Sequence, residues 1–161
     1  MTWMQKFFSF EGRIGRQDFW ICSLALWAIG VVSTIILIAT SFGSLLAIGA
    51  ANENTKSISD AAAIAALSAM ALPIMMFCLI QLAMIWPSMA VNAKRFHDRG
   101  QSALFNLIFV GSWVLNFIPL IGLLISLGAF IWWLVNLGII EGDPGPNAYG
   151  PGEVGAAEVF A

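Results

Sequence analysis

Seven consecutive residues, Lys94-Arg95-Phe96-His97-Asp98-Arg99-Gly100, hold three of the seven basic residues, the one histidine and one of the nine acids of this 161-residue chain. Several kinds of chemistry are open to them. Because an unperturbed histidine has a pKa near neutrality, His97 is the natural proton-transfer group. Asp98 is its immediate neighbour, however, and adjacent residues on a helix do not face each other. A catalytic pair would need a partner from another segment, and no nucleophile or metal-ligand set accompanies it. No catalytic residue, metal site or cofactor is therefore assigned. Arg95 and Arg99, with Arg13 and Arg16 from the start of the chain, carry the planar donors that suit a phosphate or an anionic headgroup. The plainer alternative is that these arginines only signal topology. Asp98 can pair with Lys94, four residues earlier on a helix, or with Arg13 or Arg16, which would lock distant segments together.

The elements that must hold these residues are apolar. The chain is 60% hydrophobic and only 10% charged, with a net charge of −2, against about 25% charged in a soluble domain. Charge-free runs far exceed the ~18 residues that mark a membrane-spanning helix. A single all-α membrane domain over residues 1–152 is expected, with spans near 19–50, 61–91, 102–117 and 120–140 and a disordered tail at 153–161. Cys22 and Cys78 both fall in apolar runs and behave as small hydrophobes.

In chain order, residues 1–18 read as a short amphipathic segment that lies in the interface. Phe7, Phe8 and Phe10 sit in the headgroup boundary, and Lys6, Arg13 and Arg16 meet anionic lipid. Gly12 and Gly15 suggest a bend before the first span. Residues 52–60 form a polar connection, with Ser57 or Ser59 capping the next helix. Pro73 and Pro87 are expected to kink the second span. From Gln101 to Ile140 there is no charge. One straight helix of that length would measure ~60 Å, so Phe117-Ile118-Pro119-Leu120-Ile121-Gly122 is read as the turn of a hairpin. Three prolines and three glycines between Gly142 and Pro151 dictate a series of turns.

A cytoplasmic N-terminus puts six of the seven basic residues on the cytoplasmic side, leaving Lys56 outside, as the positive-inside rule favours. Four spans then return the tail to that side. The expected cluster there is Arg13, Arg16, Lys94, Arg95, His97, Asp98, Arg99, Asn147 and Tyr149.

Four pieces in this order resemble a widespread bacterial inner-membrane family catalogued as domain of unknown function 805. They are Gly12-Arg13-Ile14-Gly15-Arg16 with Phe19-Trp20; Lys94 to Ser102; Ile118-Pro119-Leu120-Ile121-Gly122; and Gly145-Pro146-Asn147-Ala148-Tyr149-Gly150-Pro151. The resemblance implies an inner-membrane location and no particular reaction.

Three functions follow as hypotheses. The first is a non-enzymatic module whose cytoplasmic face binds anionic lipid or a protein partner, which includes a second copy in a homo-oligomer. The second is a small transporter or channel, with Gln81, Asn106, Asn116 and Asn136 lining a path. No Asp, Glu, Lys or Arg lies within an expected span, which opposes an ion-coupled pump. The third is a membrane enzyme acting on a phosphorylated lipid through His97 and Asp98. Nucleic acid is not an expected partner, because the basic total is small and no basic-aromatic platform exists.

Overall fold

A computed structural model describes residues 1–52, 60–115, 118 and 120–151. The expected cap at Ser57 or Ser59, Asn116 and the tail beyond Pro151 lie outside the described residues. Among those described, the regular structure is helical: α1 (Trp3–Phe8), α2 (Arg16–Asn52), α3 (Asp60–Asp98), a 3-10 turn (Ala103–Asn106), α4 (Leu107–Leu115) and α5 (Ile121–Trp133). The last helix continues as a π-helical segment, Leu134–Ile139. A bridge between Asn147 and Gly150 closes a turn in the final loop.

The chain divides into two compact units. One comprises Met1–Leu24 with the chain from Trp86 onward; the other is Ala25–Ile85. The second unit holds the long apolar stretches of α2 and α3. Its side chains follow what a lipid solvent demands. Ile29, Val31, Val32, Ile35 and Ile36 on α2, and Leu72, Met75 and Leu79 on α3, stand exposed, a surface far more apolar than water tolerates. The hydroxyls of Ser33 and Thr34 bond back to the Gly30 carbonyl and that of Ser68 to the Ala65 carbonyl, so these hydroxyls are met within their own helices. Gln81 Nε2 donates to Ser33 Oγ at 3.1 Å, a side-chain bond between α3 and α2.

Three helices are long and apolar enough to cross a membrane: Arg16–Leu46, Leu67–Asp98 and Ile121–Ile139. The segment expected as a third of four spans is shorter. Its 3-10 turn and the nine residues of α4 measure about 21 Å, against a hydrocarbon core of about 30 Å. The shortening has two causes. Ser102 caps the 3-10 turn at Leu104 N, and the chain reverses just before α5, where Leu120 takes a φ of 67°. α4 packs on α5 as the expected hairpin, and its two ends return to one place, because Arg95 near its start bonds to Leu137 and Ile140 near its end.

The first unit is built differently. Its core contains Phe19, Cys22, Val91, Phe96 and Leu137, but two of its largest fully buried side chains are Arg95 and Lys94. Buried cations are tolerated only when their donors are met, so the question becomes where those donors go.

Candidate functional site

Three helix ends build the site. α3 stops in a Schellman motif: Gln101 N donates to Phe96 O, Gly100 N donates to His97 O, and Gly100 takes the left-handed φ of 65° that the motif requires. This leaves the Asp98 carbonyl and carboxylate facing the first and last segments of the chain. α1 ends at Ser9, and the π segment ends at Ile140. The last carbonyls of a helix carry a partial negative charge and spare acceptor capacity.

The cations go to these ends. Lys94 Nζ donates to the carbonyls of Gln5 at 2.6 Å, Ser9 at 2.7 Å and Lys6, which uses all three ammonium protons. At the end of α5, five consecutive carbonyls each accept from a side chain elsewhere. Arg99 Nη1 takes Asn136 O at 2.8 Å, Arg95 Nε takes Leu137 O at 2.8 Å, and Trp20 Nε1 takes Gly138 O at 3.2 Å. Arg16 Nη1 takes Ile139 O at 3.3 Å and Arg95 Nη2 takes Ile140 O at 2.6 Å.

Arg13 and Asp98 join the rest. Arg13 Nε and Nη2 bind Asp98 Oδ1 at 3.2 and 3.1 Å, and Arg95 Nη1 pairs with Asp98 Oδ2. Arg13 Nη2 also donates to the carbonyls of Asp98 and Asp143, and Nη1 to those of Gly145 and Gly150. Asp143 N returns a bond to Asp98 O at 2.7 Å. The side chains of Arg13, Arg95 and Asp98 are almost wholly buried. Asp98 therefore pairs with Arg13 rather than with Lys94, and the interlock joins residues 85 apart in sequence.

The final loop is shaped to fit. A Cβ on Gly142 would collide with the Asp98 carboxylate, and one on Gly138 would lie 2.7 Å from Trp20 Cζ2. Asn147 Oδ1 accepts from Tyr149 N at 2.9 Å, while its Nδ2 donates to His97 O at 2.9 Å. The Tyr149 and His97 rings stack at 3.9 Å, 4° from parallel. His97 Nδ1 lies 3.3 Å from Gly12 O, so that nitrogen must carry the proton to bond there.

Residues 7–151 match the family described as protein of unknown function (DUF805). The chain belongs to the DUF805 family. It is 32% identical over 160 residues to an uncharacterised Escherichia coli protein, YiiR, in strain K12 and in O157:H7, covering 93% of this chain and 89% of that protein. No solved structure matches it.

In this DUF805 chain the nine residues expected as a cluster all lie in one compact unit, where the guanidinium groups of Arg13 and Arg95 bond to acceptors of the chain itself. Arg13 was expected to meet lipid; it is buried instead, because six acceptor contacts await its guanidinium. Arg16 is the exception. It is half-exposed and pairs with Glu141 at 2.7 Å on the surface. Asn106, expected as pore lining, donates to Met89 O at 3.2 Å, a contact between helices. Sequence reasoning missed Trp20, Gly138, Gly142 and Asp143. Only the density of glycine and proline after Ile140 hinted that backbone must come close there.

Proposed function

We propose that this DUF805 chain is a non-enzymatic module of the bacterial inner membrane, with both termini in the cytoplasm, whose polar end is a preformed platform for a protein partner. The observation that carries this reading is the use of the cations. All five donors of Arg13 and all three of Lys94 end on groups of the chain itself. A phosphate or lipid headgroup would have to displace them. Among the described residues of that unit the exposed charges are mainly acidic: Glu11, Glu141 and Asp143 are exposed, and Arg16 already faces Glu141. That surface complements a basic protein segment better than an anionic headgroup.

The acid-base reading of His97 gains no support, since two guanidinium groups occupy the Asp98 carboxylate and Tyr149 covers the imidazole face. Membrane embedding rests on the three long apolar helices, and the cytoplasmic assignment on the six-to-one basic asymmetry.

Two measurements test the reading. A cysteine at the exposed Ala148, with Cys22 and Cys78 replaced by Ala, should react with an impermeant thiol reagent only after the membrane is opened. A photo-crosslinking residue at the same position should give a discrete protein adduct in cells, lost on Glu141→Lys with Asp143→Lys. Labelling of intact cells, or an adduct indifferent to charge reversal, would overturn it.

A further inference from the structure

α1 has only six residues, too few to hold a helix in water alone. Two devices hold it: a capping box between Thr2 and Gln5 at its start, and the Lys94 ammonium on the carbonyls at its end. That much support for so short a helix leaves a specific surface outward. Met4 and Phe8, four residues apart on the helix, line one stripe; Trp3 lies on the adjoining face and Met1 ahead of the Thr2 cap, outside the helix. Each of the four is more than half exposed. Lys6 lies opposite Met4 and Phe8, with its ammonium 4.8 Å from the centre of the Trp3 ring and 2.7 Å from Asp18.

The stripe does not stand alone. Trp86 Nε1 donates to Phe8 O at 3.3 Å, and the Phe10 ring meets Trp86 edge-on at 5.1 Å. Trp86 is itself exposed on a helix apolar and long enough to cross a membrane. The apolar surface of α1 is thus continuous with that of a spanning helix, at an indole of the kind that favours the headgroup level. Phe7 and Phe10, the other aromatics of the segment, are half-buried and serve its attachment instead.

From this continuity we infer that α1 is an interfacial anchor. Its Met4 and Phe8 stripe is seated in the boundary between lipid headgroups and acyl chains. Lys94 holds the anchor rigidly to the end of α3, so the polar end of the protein sits at a fixed depth. The inference rests on the membrane embedding and is independent of any protein partner.

The test uses full-length protein in vesicles of phosphatidylcholine and phosphatidylglycerol, with Cys22 and Cys78 replaced by Ala. An environment-sensitive fluorophore is placed on Met4→Cys, and on Glu11→Cys as an aqueous reference. Lipid brominated near the glycerol end of its chains should quench the probe at position 4, iodide should not, and its emission should be blue-shifted from that at position 11. These results should hold as the lipid-to-protein ratio is raised. Equal iodide quenching at both positions would overturn the inference. So would protection at position 4 that disappears on dilution in lipid, which would give the stripe to a second copy.

Discussion

Asp98 accepts from two guanidinium groups in a nearly water-free setting, and its replacement should be costly out of proportion to its size. Asp98→Asn keeps the shape but leaves two buried cations without their counter-charge, a loss of about 3–5 kcal/mol. Arg13→Lys should also fail, because a lysine offers three protons where five are used, and the loss should be at least ~2 kcal/mol. Arg16→Ala removes a surface pair with Glu141 and one long, exposed bond to Ile139 O, and should change stability by less than ~1 kcal/mol. Unfolding in mixed micelles of rising SDS content measures all three, and equal effects for Arg13 and Arg16 would contradict the burial argument. The Arg13 to Asp98 pairing was legible in the sequence, since opposite charges in two segments on one membrane face invite it. The destination of Lys94 was not. Its partners are the carbonyls of Gln5, Lys6 and Ser9, and a carbonyl has no sequence signature.

Among elements, the loop after α5 is the one whose form follows most closely from its neighbours. Gly142 and Gly145 are three residues apart, yet a Cβ on the first would strike the Asp98 carboxylate while one on the second meets nothing within 4 Å. Gly142→Ala should therefore cost about 1–3 kcal/mol, and Gly145→Ala should lie within ~0.5 kcal/mol of the parent. The same SDS titration separates them, and similar midpoints would mean that the loop yields freely. The hairpin that feeds this loop was readable from the length of the uncharged run and from the residues around Ile118. The π-helical segment Leu134–Ile139 was not, because its residue types would serve equally in an α-helix. It is tertiary bonding that brings those carbonyls to Arg95, Arg99, Trp20 and Arg16.

For the whole molecule, the apolar helices and the polar end divide the labour between lipid and internal hydrogen bonds. The long runs predicted as spans reappear as α2, α3 and α5, while α4 is shorter than a span requires, a detail set by the Ser102 cap and the reversal at Leu120. A chain ending at Ile140 would keep all these helices but strip Arg13 of three of its carbonyl partners, on Asp143, Gly145 and Gly150. Such a chain should insert yet turn over rapidly in cells, with its first twenty residues opened to protease in inverted vesicles. Full protection there would show the loop to be dispensable. The same bonds impose an order in time. A ribosome adds roughly 5–20 residues per second, starting at the N-terminus, so Arg13 is made early and must wait for glycines that are nearly the last described residues of the chain. Only when Gly150 has emerged can all five donors of Arg13 find their acceptors, so the polar end locks after helices α2 to α5 have been made.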